Sequence, residues 1–181
     1  MKSDNKKKIL ARIAIGGLCG LTLGITYVVL ISKPLAAGKE ISTWWIGRVR
    51  SENDGMRLQT SDNDCGPTAL QMIFDHYNIP TTVDEIKHEV GMTKRGSTML
   101  MLKETADRKG LHAEGWRLTM QDLSHASFPA ILFVRESHFV VADSISNEDV
   151  FIRDPGIGKL RIPKAKLLQL WNGQTLIFRR K

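Results

Sequence analysis

The sequence predicts an α+β fold, with a helical N-terminal half and an antiparallel sheet in the C-terminal half, preceded by a single transmembrane helix. Three observations lead to this prediction. Residues 13–32 form a largely apolar run without a charge. Between Cys65 and Lys109 apolar residues recur at helical spacing, and from Leu111 onward they fall in short runs separated by turns. Helices followed by strands in this way indicate one α+β domain.

Composition limits the classes of function that remain. The chain has 181 residues and a net charge of +7, much of it in two terminal clusters, at 2–12 and 179–181. No basic stripe with interleaved aromatic residues occurs between them, so we do not expect nucleic-acid binding. The two cysteines, Cys19 and Cys65, form no CxxC pair, which argues against a structural zinc site or a disulfide framework. We expect no metal and no cofactor.

The N-terminal region is interpreted as a membrane anchor. About twenty apolar residues are enough to cross a bilayer as a helix, and residues 13–32 reach this length. The basic tail at 1–12 is then expected to stay in the cytoplasm, with the rest of the chain outside. Leu35-Ala36-Ala37 resembles a cleavage site, so removal of the anchor stays open. We assign 33–56 as a linker and 57–181 as the folded domain.

The first helix of the domain is expected to begin at a cysteine. Gly66 and Pro67 form a turn after Cys65, and apolar residues at helical spacing follow. Unpaired N–H groups and the positive end of the helix dipole favour a thiolate at such a position. Gln59 lies six residues earlier, and its side-chain amide is a candidate oxyanion donor. From this stretch alone, catalysis and a small buried structural cysteine are equally supported.

Two further helices and a set of strands follow. Thr82 and Glu85 have the spacing of a capping box, which opens a helix that runs to Val90. Another helix is expected at 98–109, with Ser97 as its N-cap. The expected strands are 111–118, 130–135, 138–145, 149–153, 159–162 and 175–178, with a short helix at 163–171.

The second chemical signal comes from the hairpin between the third and fourth expected strands. If its turn centres on Ser146, His138 lies directly opposite Asp154, and facing residues have Cβ atoms about 4.5–5.5 Å apart. A carboxylate there would orient the imidazole and stabilise its protonated form. A one-residue shift would break this alignment, and His138 taken alone is typical of a structural histidine. In the same register Asp143 faces Asp149 as a solvated edge residue.

These features together resemble the C39-type double-glycine peptidases, a papain-like family of cysteine peptidases. The resemblance covers roughly residues 57–178. It rests on three blocks in order: Gln59 with Asp64-Cys65-Gly66-Pro67, Phe128-Pro129-Ala130-Ile131-Leu132-Phe133 leading to His138-Phe139-Val140-Val141, and Ile152-Arg153-Asp154-Pro155-Gly156-Ile157-Gly158.

The resemblance implies a papain-like fold and a cysteine endopeptidase that cleaves leader-type peptides after a Gly-Gly pair. It implies Cys65 as nucleophile and His138 as general base, with Asp154 orienting the histidine and Gln59 donating to the oxyanion. Many relatives belong to ABC exporters, whereas this chain shows no ATPase motif and one membrane segment. We therefore expect a stand-alone, membrane-anchored form that acts on a peptide or protein with a Gly-Gly site, and a separate ABC-type exporter is a candidate partner.

Two other functions remain open at this point. A papain-like amidase or acyltransferase would use the same residues on a different amide. A membrane-tethered module that binds leader peptides without cleaving them would not need the thiol, and the presence of Cys65 argues against it.

Overall fold

The computed structural model describes residues 55–181. The basic tail at 1–12, the expected transmembrane helix at 13–32 and nearly all of the 33–56 linker lie outside the described residues. Within the described part, no helix is long and apolar enough to cross a membrane. The assignments made for the N-terminal region therefore stay predictions.

Three helices come first along the described chain: α1 (Cys65–His76), α2 (Val83–Val90) and α3 (Met99–Arg108). The capping box of α2 is confirmed, since the Glu85 N–H donates to Thr82 Oγ1 over 3.2 Å and the Thr82 N–H donates to the Glu85 carboxylate over 2.9 Å. The prediction of Ser97 as the N-cap of α3 is wrong. Thr98 occupies that position, and its Oγ1 accepts from the Met101 N–H over 3.2 Å.

Within residues 55–181, six strands form one antiparallel sheet in the order β1-β6-β2-β3-β4-β5. They are β1 (Leu111–Arg117), β2 (Ala130–Val134), β3 (His138–Ile145), β4 (Asp149–Asp154), β5 (Gly158–Pro163) and β6 (Trp171–Arg180). Two short helices, α4 (Met120–Ser124) and α5 (Lys164–Leu170), lie in the connections. Strand β6 is longer than predicted because it pairs with β1 along one edge and with β2 along the other. The α+β prediction of helices followed by an antiparallel sheet is confirmed.

The domain has two hydrophobic clusters. One contains Phe74 of α1, Leu102 of α3 and Phe178 of β6, and it also includes Cys65. The other contains Leu132 of β2 together with residues of β3, β4 and α5. Helix α1 packs against β3. This packing brings the cysteine at the start of α1 near the strand that begins with His138.

The register of the β3–β4 hairpin differs from the predicted one. Near the turn Ser144 faces Phe151, but on the other side of Asp143 the residue Ala142 faces Ile152. One step on β4 therefore corresponds to two steps on β3. Asp143 is the extra residue of a β-bulge, which increases the local twist of the strand.

The predicted direct pairing of His138 with Asp154 is wrong. Continued beyond the last paired residues, the register of the bulged hairpin places His138 opposite Gly156, so His138 and Asp154 form a diagonal pair. Diagonal neighbours share a face of the sheet and long side chains can still reach one another. The expected pairing of Asp143 with Asp149 is also wrong, because the turn is not centred on Ser146: the Ser146 N–H donates to the Asp149 carbonyl over 2.8 Å, so Asp149 lies opposite Ser146.

Candidate active site

Cys65 is the first residue of α1, has a free thiol and is 6% exposed. The loop before it is held by Asp64, whose side chain is fully buried. The Asp64 carboxylate accepts from Thr60 Oγ1 over 2.8 Å and from the Ser61 N–H over 3.2 Å, and it lies 2.9 Å from Nζ of Lys87 on α2. These contacts fix the loop from which α1 begins, and with it the position of the thiol.

His138 and Asp154 meet at the ends of their strands. Nε2 of His138 lies 2.7 Å from Oδ1 of Asp154, and the two side chains are 22% and 8% exposed. The same Oδ1 accepts from the Gly156 N–H over 2.8 Å, which fixes the carboxylate. An ionised carboxylate only accepts hydrogen bonds, so Nε2 carries a proton and Nδ1 is left for another partner. Asp154 therefore holds the imidazole in one tautomer.

The thiol of Cys65 interacts with the His138 ring. Burial alone would raise the pKa of the Cys65 thiol, but hydrogen bonds from His138 and from the backbone of Phe139 and Gly66 lower it below its ordinary value. Burial acts to lower the pKa of His138, whereas Asp154 and Cys65 outweigh it and raise that pKa to about 9. A lowered thiol pKa and a raised imidazole pKa together favour a thiolate–imidazolium pair.

Gln59 lies beside the loop that follows Asp154, and its amide N–H is occupied by the Ser61 carbonyl. Its backbone N–H donates to the Pro155 carbonyl over 2.8 Å, which ties Gln59 to the loop after Asp154. Nε2 donates to the Ser61 carbonyl over 2.8 Å, while Oε1 is buried and has no hydrogen-bond partner among the described residues. A Cβ built on Gly156 would lie 3.5 Å from this Oε1 and 3.8 Å from His138 Cε1. The end of the Gln59 side chain and the His138 ring therefore both lie beside Gly156.

Sequence reasoning missed the segment before α3 as a neighbour of the cysteine. A Cβ on Gly66 would lie 2.2 Å from Ser97 Oγ, so a side chain at Gly66 would force Ser97 to move. The Ser97 hydroxyl is buried and has no hydrogen-bond partner within the described part of the chain. Asn63 Nδ2 donates to the carbonyls of Thr93 and Lys94 over 3.3 Å and 3.4 Å. These residues are about thirty positions apart in the chain, and no local pattern connects them.

The histidines on β1 and after α4 have local partners. His112 Nε2 lies 2.8 Å from Glu114 Oε1, and His125 Nδ1 lies 2.9 Å from the Gln121 carbonyl. Residues 55–181 contain no cluster of three or more His, Cys, Asp and Glu side chains that could hold a metal ion.

Comparison with known proteins identifies the family. The family model described as the peptidase C39 family matches residues 54–181. This chain belongs to the peptidase C39 family. The resemblance seen in the sequence is confirmed, and with it the papain-like peptidase fold and the assignment as a cysteine peptidase.

Two curated relatives and one solved structure illustrate the similarity of this C39 peptidase to known proteins. An uncharacterised protein of Methanothermobacter marburgensis is 26% identical over 123 residues, which are 68% of this chain and 87% of that protein. The "Probable functional amyloid protease FapD" of Pseudomonas aeruginosa is 30% identical over 128 residues, covering 64% of this chain and 56% of FapD. The crystal structure of a double glycine motif protease from an AMS/PCAT transporter, in complex with the leader peptide, has a TM-score of 0.68 and 26% identity, covering 75% of this chain and 97% of that one.

Proposed function

We propose that this cysteine peptidase cleaves leader-type peptides after a Gly-Gly pair, with Cys65 as nucleophile, His138 as general base and Asp154 orienting the histidine. The proposal rests above all on the chain of contacts from the Cys65 thiol through His138 to the Asp154 carboxylate. Similarity to a protease described as acting on the double glycine motif supports the choice of substrate.

The reaction is an acyl transfer to the thiolate. The Cys65 proton moves to Nδ1 of His138, and Sγ attacks the carbonyl carbon of the second glycine. The oxyanion accepts hydrogen bonds from the Cys65 backbone N–H and from the Gln59 amide. His138 then donates its proton to the leaving amine as the C–N bond breaks. A water molecule, deprotonated by His138, hydrolyses the thioester and releases the peptide acid.

Gln59 acts in this scheme once its amide N–H is released from Ser61. In the structure the amide N–H is bonded to the Ser61 carbonyl, so the side chain gives up that bond and reorients when it donates to the oxyanion. Loss of one oxyanion donor costs about 10²–10³ in turnover. Gln59→Ala should lower kcat by that factor and leave alkylation of Cys65 unchanged.

The substrate class and the location of the enzyme belong to the same proposal. We infer a peptidase anchored by residues 13–32, with 1–12 in the cytoplasm and the domain at 57–181 outside. In this arrangement a separate ABC-type exporter delivers the peptide or protein that carries the Gly-Gly site. The similarity to a protease from a transporter supports an exported peptide as substrate.

The decisive experiment incubates the full-length protein in detergent with leader peptides and locates each cut by mass spectrometry. Peptides with Gly-Gly, Ala-Gly, Gly-Ala and Ala-Ala before the cut are compared, beside a Cys65→Ala control. We expect cleavage after Gly-Gly only. Rejection of the Ala variants should exceed the about 10–200-fold effect of one methylene, because an added Cβ meets a narrow cleft.

Each other outcome assigns a different function. Equal cleavage of Gly-Gly and Ala-Ala peptides would contradict the glycine specificity and leave a general peptidase. Transfer of the acyl group to an added amine in place of water would indicate an acyltransferase. A peptide that binds but is recovered intact from wild type and from Cys65→Ala alike would indicate a binding module.

A further inference from the structure

The bulge at Asp143 decides whether His138 and Asp154 share a face of the sheet. Beyond the bulge Ala142 faces Ile152, and both active-site residues lie an even number of steps from this pair, so their side chains point to the same face. Without the bulge, the register near the turn, in which Ser144 faces Phe151, would continue along both strands. His138 would then lie an even number of steps from this pair and Asp154 an odd number. The two side chains would then point to opposite faces.

An ion pair joins the bulge to the strand that carries Asp154. Arg153, directly before Asp154, donates from Nε to the Asp143 carboxylate over 2.8 Å and from Nη2 over 2.6 Å. Its remaining nitrogen, Nη1, donates to the Gly55 carbonyl over 2.5 Å. The Arg153 and Asp143 side chains are 8% and 36% exposed. A two-point contact between a guanidinium and a carboxylate fixes their relative orientation as well as their distance.

We propose that Asp143 and Arg153 are positioning residues for the His138–Asp154 pair. Asp143 is the bulged residue of β3 and Arg153 is the neighbour of Asp154 on β4, so their ion pair sets the face and the separation at which the imidazole meets its carboxylate. They act through the backbone of the two strands. The inference rests on the proposed function, because it takes His138 and Asp154 as catalytic.

Other charged groups share the cavity beside this ion pair. Asp75 and His76 at the end of α1 line it, as does Lys159 of β5. Asp75 lies 2.9 Å from Nε of Arg57. A test must therefore remove the charge of Asp143 without opening the cavity, and Asp143→Asn does so because the two side chains have the same shape.

The hairpin offers a matched control for Asp143→Asn. Asp149 lies on β4 and accepts from Nε of Arg161 over 2.7 Å, so Asp149→Asn breaks a second Asp–Arg contact away from the bulge. In the full-length protein we expect Asp143→Asn to lower kcat by about 10²-fold, the effect of a misplaced catalytic group, with KM little changed. The pH profile of Cys65 alkylation should move towards that of a simple thiol, whose pKa is about 8.5. Asp149→Asn should change neither, and Asp143→Glu should recover part of kcat.

Thermal unfolding separates positioning from a structural role. One outcome is that Asp143→Asn lowers the unfolding temperature and yet, when assayed well below that temperature, keeps the kcat and the Cys65 alkylation profile of the wild type. That result would overturn the inference. Should that variant fail to fold, Arg153→Lys gives the same test, since it keeps the charge but loses the two-point contact. His138→Ala is measured alongside. If His138→Ala leaves the alkylation profile unchanged, the proposed function itself is contradicted. If His138→Ala changes the profile and Asp143→Asn does not, only the positioning role is contradicted.

Discussion

Among single residues, Cys65 shows how the surroundings of a buried thiol can lower its pKa. Burial disfavours the thiolate, and the start of a helix alone did not decide between a catalytic and a structural cysteine. The difference comes from β3, where His138 and the backbone of Phe139 supply hydrogen bonds that lower the thiol pKa. The lowered pKa of the Cys65 thiol is therefore a property of the contact between α1 and β3.

The first prediction concerns the pH dependence of Cys65 alkylation. The Cys65 pKa is lowered and the His138 pKa is raised to about 9. The thiolate–imidazolium pair should therefore form at a pH below the ordinary thiol pKa, about 8.5, and persist until the pH is high enough to deprotonate His138. Measured with iodoacetamide, the alkylation rate should rise at a lower pH than the rate of a simple thiol does.

The control for this prediction is a second histidine–carboxylate pair. His112→Ala removes the partner of Glu114 on β1 and should leave the profile unchanged. His138→Ala should shift the profile up to that of a simple thiol. A wild-type profile that already matches a simple thiol would contradict the ion pair.

Among the elements, the loop that leads into α1 depends on α2. Lys87 of α2 lies 2.9 Å from the buried Asp64 carboxylate and 3.5 Å from Asp84. Burial raises the pKa of Asp64, but hydrogen bonds from Lys87, Thr60 and Ser61 outweigh it and hold the pKa below its ordinary value. The charge of Asp64 is thus part of what holds α1 in place.

Asp64→Asn should lower the free energy of unfolding at neutral pH by about 1–3 kcal/mol, the cost of a lost buried partner. A carboxyl whose pKa is lower in the folded state adds stability above its unfolded pKa, about 3.9, and loses it as the pH falls through the folded value. The variant should therefore lose less stability than wild type on acidification. Urea unfolding at neutral pH and in acid measures both effects.

Asp84→Asn is the matched control, because Asp84 contacts the same lysine but its side chain is 93% exposed. Exposed ion pairs contribute about 0–1 kcal/mol, so this variant should unfold almost as wild type does. If the two variants lose the same free energy of unfolding, the burial of Asp64 does not strengthen its contact with Lys87.

For the whole molecule, the central prediction is the side of the membrane on which the domain lies. The basic cluster at 2–12 precedes the uncharged run at 13–32, and basic flanks favour the cytoplasm. A reporter that is active only outside the cytoplasm, fused after Lys181, should therefore be active. A silent reporter, together with an active cytoplasmic one at the same position, would reverse the proposed topology.

Local features of the fold could be predicted from the sequence. The order of helices and strands, the capping box at Thr82 and the helix start at Cys65 each depend on residues within one turn of helix or one strand. Periodicity and capping preferences act over that distance, so the amino-acid sequence displays them directly. The short helix α4 was missed because five residues are too few to show a period.

Strand register was beyond the reach of the sequence. The simple hairpin, with its turn centred on Ser146, placed His138 directly opposite Asp154. In the structure Ser146 faces Asp149, and this turn together with the bulge at Asp143 makes His138 and Asp154 a diagonal pair. The bulge at Asp143 and the contact of Asp143 with Arg153 exist only where the two strands lie side by side. The same limit applies to the contact of Ser97 with Gly66.

The sequence by itself determined which chemical groups this protein carries, their order and the elements that present them: a cysteine at a helix start, a histidine at a strand start and an aspartate at a strand end. Only the tertiary structure decided that they meet. The distance between His138 and Asp154 is set by a bulge and the position of Cys65 by a buried ion pair. Both depend on contacts between different helices and strands, which local periodicity does not encode.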